Sequence, residues 1–452
     1  MSEPWEWEPA ADAPVADARA EASDAVAAAM QARLEERFAA AFGDAPGPAR
    51  PDAVPRDAAF ARRASHGPRV LTSAPGRLEL AGNHVDHQGG QVISAAIDER
   101  LWGLGARNGL DVIRVSMEGF GEAAIDLSDP SWDAPRPAER GTSAALVRGM
   151  AAAFAAAGGH VRGFDLATAA NVPAGAGLSS SAAFEMMVGA AIEALLGAGG
   201  ASTVPADPVA LALAGCRAEG AYFGKGSGAQ DQLASVCGGV LLLDFAGERP
   251  QVSPVPFDAA AHGYALVLVD SRHDHSFHTD EFCAIPADMR AVANLLGAAR
   301  LGDVPPERFF ASLRQVRHEL GDLRALRALH YYDEVARVAD QRLALDLGDF
   351  RAFLAAARVS GASSAQFLQS VSSHGEDGRA HQPAMAILGL CSHLLGERGA
   401  WRIHGGGFGG SVLAFVPTGE LDGFTAAIDE MLGYAACSVV EAGAPGVWAR
   451  EL

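Results

Sequence analysis

Cysteine is scarce in this chain of 452 residues. The five present, Cys216, Cys237, Cys283, Cys391 and Cys437, show no C-x-x-C spacing. That excludes a disulfide framework or zinc ribbon, and scattered thiols in odd number fit a reduced, cytosolic compartment. Long apolar runs are lacking too. Ala-rich stretches such as "GMAAAFAAAGG" are far too short to span a bilayer. The N-terminus, "MSEPWEWEPAADAP", is acidic and lacks the basic segment and apolar core of a signal peptide. Basic charge is also in deficit: 35 Lys and Arg stand against 55 Asp and Glu, a net charge of −20. No nucleic-acid partner and no anionic membrane is expected of such a chain. A polyanion can still be held locally by a metal ion and backbone amides.

What is present is enough chain for two domains with a sizeable core. Residues 1 to about 20 read as a disordered tail, rich in Ala, Pro, Asp and Glu. From Ala20 onward, Val26, Met30, Leu34, Phe38 and Phe42 form one apolar helical stripe, ended by Gly43. A Pro-rich linker follows. "RVLTSAPGRLELAG", "QVISAAID", "RLWGLGARNG" and "DVIRVSMEG" read as short strands separated by turn residues. "GFDLATAANVP" is a further strand, and "LSSSAAFEMMVGAAIEALLGAG" and "PADPVALALAGCRAEGAYFG" are helices. A strand, "GYALVLVDS", precedes one long helical stretch over roughly 285–397. The chain closes with strand, Gly loop, strand ("AWRIHGGGFGGSVLAFVP"), a helix and a last strand. This uneven interleaving predicts an α+β fold rather than a regular βαβ sheet.

Three Gly-rich segments invite comparison with phosphate loops. "GAYFGKGS" fails as a Walker A loop, because Lys225 is followed by Gly226 and no strand leads in. "GGGFGG", Gly405 to Gly410, is followed by a strand where a dinucleotide fingerprint needs a helix. "NVPAGAGLSSSAAFEMMVG" is different: a strand, a permissive loop, then three serines opening a helix. Small residues allow close backbone approach, and the unpaired N–H groups of the first helical turn favour phosphate. A helix cap alone would need only one serine.

The polar island "GNHVDH", Gly82 to His87, lies between two core-like segments. With it, "PGRLELAGNHVDHQGG", "GAGLSSSAA", "GSGAQDQLASVCGG" and "HGGGFGGS" occur in the order and spacing of the GHMP kinase superfamily, and the first resembles the galactokinase signature. The resemblance runs from about Ala20 to the C-terminus. It implies a two-domain GHMP kinase fold: an N-terminal domain like ribosomal protein S5 domain two over 21–255, and a ferredoxin-like C-terminal domain over 256–452, after the tail at 1–20. The implied reaction is transfer of the ATP γ-phosphoryl group to the C1 hydroxyl of galactose. The expected partners are that small-molecule sugar and ATP, with Mg²⁺, and the chain is expected to be a monomer or weak dimer.

Roles carry over by position. Asp231 matches the family's catalytic Asp, placed to take the sugar hydroxyl proton, and Arg77 the Arg beside it. Gly175, Ala176, Gly177, Leu178, Ser179, Ser180, Ser181 and Ala182 match the ATP-binding loop. Ser181 and Glu219 match Mg²⁺ ligands, whose hard oxygens suit that ion. Asn83, His84, Asp86, Gly228 and Phe282 fall at sugar-binding positions. Two of them depart from the family: Asn83 stands where Glu is usual, facing the C6 hydroxyl, and Phe282 where a Tyr is usual. His87 also replaces a usual Tyr. An amide still hydrogen-bonds a hydroxyl, so galactose is the expected sugar. Loss of a negative charge leaves galacturonate or another pyranose open. A non-catalytic sugar sensor is the other alternative, and the intact "GLSSSAA" argues against it. His273, His275 and His278, close in sequence, are expected to be loop residues near the sugar cleft rather than a metal site. Arg402 and His404 are expected to be structural.

Overall fold

The computed structural model describes residues 16–43, 64–171, 180–197, 205–226, 228–273, 279–371, 373–374 and 380–452. In chain order the strands are β1 (Arg69–Ala81), β2 (Gln91–Arg107), β3 (Val112–Met117), β4 (Gly121–Asp126), β5 (Phe164–Ala170), β6 (Val240–Asp244), β7 (Gln251–Pro254), β8 (Tyr264–Asp270), β9 (Ser373–His374), β10 (Ala380–His381), β11 (Ala400–His404), β12 (Ser411–Pro417), β13 (Cys437–Val440) and β14 (Trp448–Glu451). The helices are α1 (Ala16–Phe42), α2 (Ser143–Ala156), α3 (Ser180–Leu196), α4 (Pro208–Arg217), α5 (Gln230–Cys237), α6 (Thr279–Leu295), α7 (Pro306–Leu320), α8 (Asp322–Asp346), α9 (Phe350–Ser363), α10 (Pro383–Leu395) and α11 (Leu421–Leu432).

The larger sheet runs β14-β1-β2-β5-β3-β4, with β6 and β7 extending from β2. Both of its faces are covered. Leu34 and Phe38 of α1 pack on Leu71, Trp102, Leu104 and Ala167, while the opposite face meets α2, α3 and α5 through Met150, Met186, Met187 and Leu233. Strands buried on both faces read as apolar runs rather than alternating ones, as β1 does. The two strands expected from "QVISAAID" and "RLWGLGARNG" are a single strand, β2. They look separate in sequence because β2 changes neighbour: Gln91–Ala95 pair with β6 and Leu101–Arg107 with β5. The polar residues Asp98 and Glu99 fall at that change.

The smaller sheet is antiparallel, in the order β11-β12-β8-β13, and buries Val267, Val412, Ala414, Ile387 and Ile428 against α10 and α11. Together the sheets form the expected α+β architecture. The helical stretch expected over 285–397 is broken into α6 to α10. Two further boundaries differ from expectation. Helix α1 begins at Ala16, so Ala16–Ala20 are helical rather than tail; residues 1–15 lie outside the described residues. The last strand returns to the first sheet: β14 pairs with β1, Trp448 meets Trp102 edge-on at 5.5 Å, and Arg100 donates to Pro445 O at 2.7 Å and Gly446 O at 2.8 Å. The chain's C-terminal end is thus part of the sheet that carries the site. Among the described residues no helix is long and apolar enough to cross a membrane.

Candidate active site

Strand β1 carries Pro75, which has no N–H to give a ladder, and its pairing with β2 shifts register between Pro75 and Arg77. Such an irregularity re-aims side chains. Arg77 points at α5, where its Nε donates to Asp231 Oδ1 at 2.7 Å and its NH2 to Asp231 Oδ2 at 2.9 Å. Arg77 is buried, whereas the Asp231 side chain keeps about a third of its surface open, at 32%. A two-pronged pair of this kind fixes the carboxylate plane and favours its charged form.

Beside this pair, at the first turn of α3, the Ser181 hydroxyl donates to Glu219 Oε1 at 3.1 Å. Glu219 opens a π-helical segment, Ala218–Phe223, that continues α4, and Asp207 caps the start of α4 by accepting from Ala210 N. Gln232, next to Asp231, donates to Glu219 Oε2 at 3.3 Å and to Glu185 Oε2 at 2.9 Å. A hydroxyl and a carboxylate at a helix N-terminus form a hard-oxygen pair, and that donor set fits Mg²⁺, which completes its shell with water and phosphate oxygens. Glu185 is fully buried, and its carboxyl is pushed well above the usual range by burial and then by Glu219. Of the expected ATP loop, Ser180, Ser181 and Ala182 lie in α3. Gly175, Ala176, Gly177, Leu178 and Ser179 fall outside the described residues.

The island after β1 is a tight turn: Gly82 and His84 both take positive φ, 92° and 57°. A non-glycine residue held there marks a conformation fixed by its surroundings. Those surroundings come from the C-terminal half. His84 Nε2 lies 3.0 Å from Gly406 O, and burial lowers its imidazole pKa to about 4. The Phe282 ring stands 5.5 Å from the His84 ring and lies across Gly406, leaving no room there for a Cβ. Asp86 is half-buried against Gly228, where a Cβ would collide with its carboxylate. Burial pushes the Asp86 carboxyl up to about 7. His84 and Phe282 therefore lie side by side at Gly406, and Asp86 packs on Gly228, shortly before Asp231 in the chain.

Asn83 is placed differently. It is fully buried, its Nδ2 donates to Glu79 Oε1 at 3.0 Å and Gly405 O at 2.8 Å, and its Oδ1 accepts from Ser364 Oγ at 3.0 Å. The amide is engaged inside the protein from three sides. The "HGGGFGGS" loop thus meets the polar island. Arg402 donates to Glu79 Oε1 at 2.6 Å from a buried position, in keeping with a structural role. His404 is buried, and burial, followed by Arg77 and Arg402, holds its imidazole well below the usual range. His273 accepts from Gly410 N through its carbonyl at 3.2 Å; His275 and His278 lie outside the described residues.

Known proteins share these segments. The galactokinase galactose-binding signature matches residues 58–107, and the GHMP kinase N-terminal domain matches residues 145–239. The galactokinase of Streptomyces coelicolor is 32% identical over 408 residues, which cover 85% of this chain and 95% of that protein. The chain belongs to the galactokinase family. In fold it is similar to Lactococcus lactis galactokinase complexed with galactose, with a TM-score of 0.74 at 23% identity over 94% of this chain and all of that one. It is similar more distantly to Streptococcus pneumoniae phosphomevalonate kinase in complex with phosphomevalonate and AMPPNP, with a TM-score of 0.55 at 13% identity over 84% of this chain and 99% of that one. The expected GHMP kinase fold is therefore observed.

For a galactokinase-family chain, the residues that motif reading passed over are Glu79, Glu185, Gln232, Lys225 and the C-terminal partners Glu334, His330 and Ser364. Two carry a sequence signal. Glu185 is one of two charges in an otherwise apolar helix, with Glu193 nearer its end, and Lys225 is the chain's single lysine. None of the five cysteines forms a disulfide, and burial raises the thiols of Cys216, Cys237 and Cys437 to about 12, which makes them inert.

Proposed function

We propose that this sugar kinase transfers the γ-phosphoryl group of ATP to the C1 hydroxyl of galactose, giving galactose 1-phosphate and ADP. The carrying observation is the two-pronged Arg77–Asp231 pair, beside which Gln232 donates to Glu219, itself the acceptor for the Ser181 hydroxyl. Asp231 accepts the C1 hydroxyl proton while Arg77 keeps that carboxylate ionised and offsets charge on the attacking oxygen. Phosphoryl transfer needs mainly positioning and charge neutralisation, so this small group suffices. Mg²⁺, when held by Ser181 and Glu219, supplies charge neutralisation for the phosphates.

His84, Asp86, Gly228 and Phe282 face the sugar in this reading, and Asn83 holds their turn from beneath. Because the Asn83 amide is already engaged, its difference from the family's Glu does not by itself argue for a C6 carboxylate. Cysteines that form no disulfide suit a cytoplasmic setting.

The test is ADP release with a sugar panel of galactose, galacturonate and talose. Wild type turns over galactose, and Asp231→Asn lowers kcat by about a thousandfold, within the range for general-base loss. No turnover of any sugar would overturn the reading. Turnover of galacturonate without galactose would replace the sugar and keep the chemistry.

A further inference from the structure

Of the 35 lysine and arginine residues only Lys225 is lysine. It lies at the seam of the site, and no motif assigns it a role. Its position is set by the backbone: the π-helical segment ends at Gly224 in the left-handed region, and Gly224 N and Lys225 N both donate to Glu219 O, at 2.9 and 3.0 Å. The chain therefore folds back over Glu219. Lys225 Nζ lies 3.8 Å from Glu219 Oε1 and 5.4 Å from the centroid of the Phe282 ring. About a third of the side chain remains open, at 32%.

The two neighbours locate its ligand. Glu219 is tied to Ser181 at the phosphate end, and Phe282 lies against His84 at the sugar end. The group that passes between those ends is the phosphoryl group itself. The local charge argues the same way. Glu219, Asp231 and Asp86 all line this region, and Arg77 gives two N–H groups to Asp231. An ammonium has three donors, so one facing a carboxylate and a ring face still has donors for an incoming oxyanion. A compact, rotatable ammonium also follows a moving charge more readily than the planar fork of arginine.

Resting on the kinase reading above, we propose that Lys225 grips the transferred phosphoryl group on both sides of the reaction: as the γ-phosphoryl of ATP before transfer and as the sugar 1-phosphate after it. The bond from the γ-phosphorus to its bridging oxygen breaks, the bond to the sugar O1 forms, and the proton of that hydroxyl goes to Asp231. Lys225 stays an ammonium throughout.

Equilibrium binding to the full chain tests this with four ligands: AMPPNP, ADP, galactose and galactose 1-phosphate. Lys225→Met should weaken AMPPNP and galactose 1-phosphate by about tenfold, the loss of one charge-assisted hydrogen bond. ADP and galactose should stay within about twofold and so report intact folding. In wild type, acylation of this single lysine, followed by mass spectrometry, should be slowed by AMPPNP or galactose 1-phosphate and not by ADP or galactose. Unchanged binding of the two phosphoryl ligands, or equal weakening of all four, would overturn the proposal. Failure of the kinase reading shows separately, as a wild type that releases no ADP with any sugar.

Discussion

At the scale of single residues, Asn83 is the position where motif and geometry part. The family motif suggests a sugar-facing group, yet the side chain is fully buried and bonded to Glu79, Gly405 and Ser364. Restoring a glutamate there would put two carboxylates where one now accepts an amide hydrogen at 3.0 Å. It would also turn the donor to Gly405 O into an acceptor. Asn83→Glu should therefore destabilise the fold by about 3 kcal/mol, the scale for an unpaired buried charge. Adding Glu79→Gln should return part of that loss, because an amide again faces a carboxylate. Urea denaturation of both variants checks this, and equal stability of wild type and Asn83→Glu would refute it. Asp86 gives a second handle. Its folded pKa, raised to about 7 from 3.8, means that the folded state holds the proton more tightly than the unfolded state. That contribution to stability is full below the unfolded value and is lost as pH rises through 7. Asp86→Asn removes the titration. The melting temperature of the variant relative to wild type, without sugar, should rise between pH 5 and pH 8. A flat difference would show that Asp86 titrates normally.

At the scale of elements, each candidate site residue sits where an element begins, ends or is interrupted. Arg77 follows the register shift of β1, Asp231 lies in the first turn of α5, Ser181 in the first turn of α3, and Glu219 at the start of a π-helical segment. The helix start at Ser181 was legible in the sequence from the Gly–Ser run itself, whereas Arg77, Asp231 and Glu219 were reached through the resemblance of their motifs to the family's. Glu334, His330 and Ser364 were reached by neither route. Glu334 Oε1 accepts from Gly82 N and Asn83 N, and His330 Nε2 lies 2.9 Å from Asn83 O, across separations of about 250 residues. Nothing local marks a glutamate or a histidine in a long helix as the support of a distant turn. The single long helical stretch failed for a related reason: the packing that breaks it into five helices is non-local. Gly228 shows how a local requirement bears on the candidate site. Its backbone approaches the Asp86 carboxylate too closely for any Cβ. Gly228→Ala must push Asp86 or α5 aside, so the KM for galactose should rise by about tenfold, while the KM for ATP changes little. Steady-state kinetics with each substrate varied in turn makes the distinction, and an equal rise in both would point to general loss of structure.

At the scale of the whole molecule, the order of the chain and the order of the fold differ. Strand β14, at the far end of the sequence, is the edge strand beside β1, the strand that presents Arg77. Arg100, in the strand next to β1, is buried, and burial lowers its pKa to about 10. It stays charged by donating to Pro445 O and Gly446 O, and through Nε to Ser73 Oγ at 2.8 Å. Removal of residues 444–452 would strip away β14, the Trp448 edge contact with Trp102 and two of the three carbonyl acceptors of Arg100, leaving Ser73 O. A buried guanidinium left short of acceptors is costly, by about 1–3 kcal/mol per lost partner. The damage should therefore appear far from the cut in sequence. Hydrogen exchange should quicken in peptides covering β1 and β2, while β11 and β12, nearer the cut along the chain, keep their protection. Because β1 carries Arg77, kcat should fall together with that protection. Faster exchange confined to β11 and β12 would mean that the C-terminal end stabilises the second sheet instead, and that β14 is dispensable to the site.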